Sequence, residues 1–198
     1  GIDTTVENRR AYRELLISSS EIEKYISGII FYDETIRQST KEGQPFTAIL
    51  QSKGIEIGIK VDGGLKDFST TSIEKLTDGL NGLPERLKEY KKMGASFAKW
   101  RAVIHIGENM PSEACIEANA HALAQYAFFC QQENIVPIIE PEVLLDGDYL
   151  IEKSYEITAH NLDIIFAEFK MQNIFIPGIV LKTSMVISGK NAPIRSTP

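Results

Sequence analysis

Three apolar, strand-like runs carry charge at their ends: Phe97-Ala98-Lys99-Trp100-Arg101, Val136-Pro137-Ile138-Ile139-Glu140-Pro141-Glu142 and Ile179-Val180-Leu181-Lys182. Strand side chains alternate between faces, so Lys99 and Arg101 share a face, and so do Glu140 and Glu142. A lysine closing an apolar strand is easily desolvated, which favours its neutral amine. That amine is the nucleophile that condenses with a ketone or aldehyde to a Schiff base. Lys182 also has Thr183-Ser184-Met185-Val186 after it, so the chain around it is expected to be partly buried while the amine faces a cavity. Two carboxylates about 6 to 7 Å apart along one strand can hold different pKa values, one raised for acid work and one kept ionised by cations such as Lys99 and Arg101. Plainer readings stand beside each of these. Lys182 can be a surface lysine at a strand exit, Glu140 and Glu142 a solvated strand end, and Lys99 and Arg101 structural ion-pair partners of the glutamates.

Other chemistries have less support. His105, His121 and His160 lack metal-ligand spacing, and Glu117 with His121, four apart on a helix, reads as a surface pair. No G-x-S-x-G surrounds a serine, and neither cysteine ends a strand. Asp146-Gly147-Asp148 reads as a turn, because the later ligands of a calcium loop are missing.

The elements that must position these residues alternate. Helical spacing runs through Thr5–Ile17, a short piece at Thr47–Ser52, Gly82–Met93, Pro111–Glu133 and Leu150–Gln172. The longest helix carries the stripe Cys115, Ala118, Ala122, Tyr126 and Phe129. Strands are expected at Gly28–Tyr32, Glu56–Asp62 closed by Gly63-Gly64, Phe97–Ile106, Ile135–Glu142 and Ile174–Lys182. Strands alternating with helices imply a parallel sheet, doubly wound or closed as a β/α barrel. The first strand is not followed by the G-x-G-x-x-G turn of a dinucleotide fold. Lys60, Lys99, Glu140 and Lys182 instead end four successive strands, the place where barrels keep catalytic groups, so the barrel is preferred.

With 198 residues, 43% of them apolar, and a formal charge of -6, the chain can bury one sizeable core, and a single domain is expected. The acidic balance argues against a nucleic-acid or anionic-membrane partner. Cys115 and Cys130 sit in one helical pattern about 22 Å apart, too far for a disulfide, and read as free thiols of a reducing compartment. No apolar run reaches transmembrane length and no secretory leader opens the chain, so a cytoplasmic location is expected.

Taken together, Glu7-Asn8-Arg9-Arg10-Ala11-Tyr12-Arg13, Gly58-Ile59-Lys60-Val61-Asp62, Gly94 with Phe97-Ala98-Lys99-Trp100-Arg101, Gln131-Gln132-Glu133-Asn134-Ile135-Val136-Pro137-Ile138-Ile139-Glu140-Pro141-Glu142, and Leu181-Lys182 with Met185-Val186 closely resemble class I fructose-bisphosphate aldolase in order and spacing, from near residue 2 to about residue 190. The resemblance implies an α/β (β/α)8 barrel and metal-free, cofactor-free aldol cleavage of fructose 1,6-bisphosphate to dihydroxyacetone phosphate and glyceraldehyde 3-phosphate. It implies that Lys182 is the Schiff-base lysine and that Glu140 is the acid/base dehydrating the carbinolamine. By the same resemblance Lys99 assists that step and contacts substrate, and Glu142 is a supporting carboxylate. Lys60 and Arg101 belong to the charged cluster near substrate and its phosphate, and Arg9 matches a substrate-binding arginine. A homotetramer is implied, with substrate preference between fructose 1,6-bisphosphate and fructose 1-phosphate left open.

The family commonly reads K-V-D-K-G and L-K-P-N-M-V, where this chain has Lys60-Val61-Asp62-Gly63-Gly64 and Leu181-Lys182-Thr183-Ser184-Met185-Val186. Eight strand–helix units take about 250 residues and only five strands are legible. The chain is therefore expected to be strands 2 to 6 of a longer protein, without the first strand and the last two. The Thr183-Ser184 departure supports one rival, a non-catalytic scaffold or partner-binding relative. A barrel aldolase of the transaldolase or deoxyribose-phosphate kind lacks these motif contexts.

Overall fold

The computed structural model describes residues 1–70 and 73–195. Helices start where a side chain can take up free backbone N–H groups. Thr5 accepts from the Asn8 amide ahead of α1 (Val6–Ile17), and Ser112 accepts from the Cys115 amide ahead of α5 (Glu113–Gln132). Pro84 sits in the first turn of α4 (Leu83–Lys92), where its missing N–H costs nothing. The αβ turns share one geometry: Gly54 after α3 (Phe46–Ser52), Gly94 after α4, Asn134 after α5 and Asn173 after α6 (Ile151–Met171) all take positive φ. Each helix thus hands the chain directly to the next strand.

The strands β1 (Gly28–Phe31), β2 (Glu56–Lys60), β5 (Ala95–Ile104), β6 (Val136–Val143) and β7 (Val180–Leu181) form one all-parallel sheet in that order. Every neighbouring pair is consecutive in this α/β winding. One face of the sheet carries Ile57, Ile59, Ala98, Trp100 and Ile139 into a core shared with Leu87, Tyr126 and Phe169 of the helices. Trp100 stacks on Tyr126 with centroids 5.5 Å apart. The opposite face, by alternation, carries Gly58, Lys60, Phe97, Lys99, Arg101, Glu140 and Glu142.

At Gly58 a Cβ would lie 2.2 Å from the Phe97 ring, which covers that strand position. Gly58→Ala is therefore expected to displace the ring and to cost about 1 to 3 kcal/mol, read as a lowered urea midpoint at unchanged slope.

Several sequence expectations are corrected here. The strand expected over Ile174–Lys182 shrinks to Val180–Leu181, because Pro177 lacks an N–H and Ile176–Gly178 coils into a 3-10 turn. A single helical turn, α2 (Asp33–Ile36), which the helical spacing did not indicate, lies between β1 and α3. After Gly63-Gly64 an antiparallel hairpin forms from β3 (Leu65–Asp67) and β4 (Lys75–Thr77), strands too short to show a period. Thr77 Oγ1 donates to the Arg101 carbonyl at 2.7 Å, and Glu74 accepts from both the amide and hydroxyl of Ser112. These bonds fasten the hairpin beside β5. His121 meets Glu168 of α6 at 2.7 Å, because α5 and α6 pack side by side, so its partner is not Glu117. Cys115 and Cys130 are free and buried, and burial pushes both thiols up, Cys115 to about 11. Among the described residues, no helix is long and apolar enough to cross a membrane.

Candidate active site

Glu140 is the centre of the charged face. It stands on β6 with its side chain 8% exposed, and Oε1 accepts a hydrogen bond from Lys182 Nζ. Lys99 Nζ lies 2.6 Å from Oε2 as an ion pair, in an orientation that leaves this oxygen without a directed hydrogen bond. Sheet register produces the arrangement. Lys99 pairs with Ile138, so it reaches Glu140 one diagonal step along, while the Lys182 amide donates to the Ile139 carbonyl at 2.8 Å and sets Lys182 beside Glu140 on the other side. Arg101, one step beyond Lys99, meets Glu142 at 2.8 Å. Lys60 is in register with Lys99 but turns away from it, pairing with Asp62 and standing 5.7 Å from the centre of the Tyr32 ring.

Two expectations change. The amine of Lys182 was expected to be desolvated, yet its side chain is 58% exposed. Among the described residues β7 is two residues long and pairs with β6, and Leu181, Thr183 and Met185 beside Lys182 are exposed too. The described residues place a carboxylate within proton-transfer reach of this amine. The second change concerns the raised carboxylate. Burial pushes the Glu140 carboxyl up, but Lys182 and Lys99 together pull it further the other way, so the net shift is downward.

Arg9 stands apart from the cluster. Its guanidinium is bidentate to Glu34, at 2.7 and 3.1 Å, and Arg13 meets the same carboxylate at 2.5 Å. These arginines bring Glu34 down to about 2. Arg9 and Tyr32 also line a cavity of about 780 Å³ with Leu16, Ile26 and Ile30, a lining that contains none of Lys60, Lys99, Glu140 or Lys182. The charged cluster therefore does not line this cavity.

Glu34 and Glu140 both have folded-state pKa values below the ordinary 4.5. Their stabilisation is complete above pH 4.5 and is lost as pH falls below it, through about 2 for Glu34. Stability measured by urea denaturation is expected to decline across that window, and Glu34→Gln is expected to flatten part of the decline.

Two residues escaped the sequence reading of the site. The hydroxyl of Ser184, one of the departures from the family pattern, accepts from the Val143 amide at 2.9 Å and ties the segment after Lys182 back to β6. The departure thus has a structural use beside the lysine. Asp62 sits two residues after Lys60, and the same alternation that paired Lys99 with Arg101 would have flagged it.

Comparison with known proteins agrees over the whole length. The family model described as fructose-bisphosphate aldolase class-I matches residues 1–198. A probable fructose-bisphosphate aldolase class 1 of Xanthomonas campestris pv. campestris is 55% identical over 190 residues, covering 96% of this chain and 57% of that protein. Fructose-bisphosphate aldolase C of Homo sapiens is 44% identical over 199 residues, covering 100% of this chain and 55% of that protein. The solved structure of fructose-bisphosphate aldolase from Plasmodium falciparum, in complex with TRAP and a small-molecule inhibitor, superposes with a TM-score of 0.96 at 41% identity, over 99% of this chain and 57% of that one. The chain spans little more than half the length of these relatives. Its five-stranded sheet corresponds to part of their (β/α)8 barrel.

Proposed function

The chain belongs to the class I fructose-bisphosphate aldolase family, and from that premise we propose that the full-length protein reversibly cleaves fructose 1,6-bisphosphate to dihydroxyacetone phosphate and glyceraldehyde 3-phosphate through a Schiff base on Lys182. The observation that carries the proposal is one buried carboxylate, Glu140, held between two lysines, one of which is open to solvent.

The chemistry follows from proton positions. Only the free amine attacks a carbonyl, so the Lys182 ammonium first passes a proton to Glu140, the acceptor it already touches. The amine then adds to carbon 2 of the open-chain sugar. The protonated Glu140 returns its proton to the carbinolamine hydroxyl, which leaves as water and gives the iminium. Lys99, beside the second oxygen of Glu140, stabilises the carboxylate that re-forms. The iminium draws in the electron pair of the bond between carbons 3 and 4 as that bond breaks and the carbon 4 hydroxyl passes its proton to the re-formed Glu140 carboxylate. This leaves an enamine and releases the aldehyde. Protonation at carbon 3 and hydrolysis free dihydroxyacetone phosphate and regenerate Lys182. The lysine itself is the electron sink, so the reaction calls for no metal or cofactor.

In this reading Arg101, Lys60 and, from outside the cluster, Arg9 contribute substrate contacts, and Glu142 supports Arg101. The chain is one partial barrel domain of a cytoplasmic homotetramer that serves glycolysis and gluconeogenesis. The test is reductive trapping. Full-length protein incubated with dihydroxyacetone phosphate and borohydride is expected to yield a secondary amine on the peptide that contains Lys182. Its absence under conditions where substrate binds overturns the proposal.

A further inference from the structure

The described residues contain a second buried carboxylate on the charged face, Asp62, with a side chain 4% exposed. Its Oδ1 accepts from Lys60 Nζ, while Oδ2 is buried and has no hydrogen-bond partner. Burying a carboxylate with one of its oxygens unmet is unfavourable, and such arrangements persist where the surroundings hold them in place. The surroundings do so here. On one side of Asp62 the Val61 amide donates to the Lys99 carbonyl at 3.1 Å, and on the other the Gly63 amide donates to the Asp78 carbonyl at 2.7 Å. Arg86 of α4 donates to the carbonyls of both Val61 and Gly79, joining the strand end to the base of the hairpin. At Gly79, φ is +123° and a Cβ would lie 2.5 Å from the Gly63 nitrogen, so the two segments close on each other without room for a side chain.

We propose that Asp62 is a positioning residue: clamped by Arg86 and the hairpin base, it fixes the ammonium of Lys60 against the Tyr32 ring with its remaining N–H donors directed to the phosphate-bearing substrate. This rests on the proposed sugar-phosphate site. A lysine left to itself spreads its charge over many rotamers of a four-carbon stem. Paired to a buried carboxylate two residues past its own strand end, with an aromatic face on another side, Lys60 has few places to go. Asp62 has no solvent-accessible Oδ2 with which to touch substrate itself, so its effect runs through Lys60.

The test is a double-mutant cycle in the full-length enzyme with fructose 1,6-bisphosphate. Asp62→Asn is expected to raise KM about tenfold while kcat stays within about threefold, as for loss of uniform binding. In a Lys60→Met background the same change is expected to alter KM less than twofold, because there is no ammonium left to position. Additive effects, or an unchanged KM in Asp62→Asn, overturn the inference. Should Asp62→Asn fail to fold, Asp62→Glu takes its place. Its longer carboxylate keeps the charge but shifts Lys60, and KM is expected to rise at least threefold, an unchanged KM again overturning the role. An inactive wild-type enzyme with no adduct on Lys182 overturns both this role and the proposed function. Additive effects in an active enzyme overturn this role alone.

Discussion

Lys182→Met in the full-length protein is expected to lower kcat by on the order of 10⁴-fold or more, because under the proposed mechanism it removes the atom that forms the covalent intermediate. Folding should be retained. Lys182 follows β7 directly, and the carboxylate it leaves behind still has Lys99 2.6 Å away. Methionine keeps the unbranched stem and loses only the charge and the nucleophile. Borohydride trapping should disappear with the activity, while a substrate-protection melt should still report binding through the remaining cationic residues. Residual turnover above about 1% of wild type, with the variant folded, would move the nucleophile to another lysine. Lys60 and Lys99 are the alternatives that the same trapping experiment would detect.

Glu140→Gln is the second large effect, with kcat expected to fall about 10² to 10³-fold, the usual range for loss of a positioned acid/base. Glutamine preserves shape and hydrogen-bonding capacity but cannot take the Lys182 proton or return it to the carbinolamine. Formation of the Schiff base should therefore become the slow step. The trapped adduct should still accumulate on Lys182, but much more slowly, a pattern distinct from the Lys182→Met variant, which never forms it. Because Lys99 is largely buried and loses its counter-charge, stability should also drop, by about 1 to 3 kcal/mol. Full turnover in a folded Glu140→Gln variant would remove Glu140 from the proton path.

The two variants probe one feature, the sharing of a single carboxylate by two lysines, and its components were not equally visible in the linear chain. Strand alternation alone put Lys99 with Arg101 and Glu140 with Glu142 on shared faces, and the diagonal pairs seen in the sheet follow that pattern. Alternation says nothing about stagger between strands. Lys99 meets Glu140 because Phe97 lies opposite Val136, and a one-residue slip would have turned every one of these charges to the helix side. Lys60 was expected in the same cluster and is in register with Lys99, but its amine pairs with Asp62, two residues on. Arg9, on a helix far along the chain from the charged strands, has its direction set by Glu34, a contact across 25 residues that no local pattern encodes.

The sequence by itself determined the α/β alternation, the parallel winding, the positions of five of the six described α-helices to within a residue or two, and the identity of the family, because each rests on local periodicity, capping residues or contiguous motifs. Tertiary structure alone decided which amine reaches which carboxylate, that a hairpin caps the end of β2, and that Asp62 is buried with one oxygen unmet. Charge pairing and burial depend on distances between segments far apart in the chain, and those distances exist only once the sheet has chosen its register.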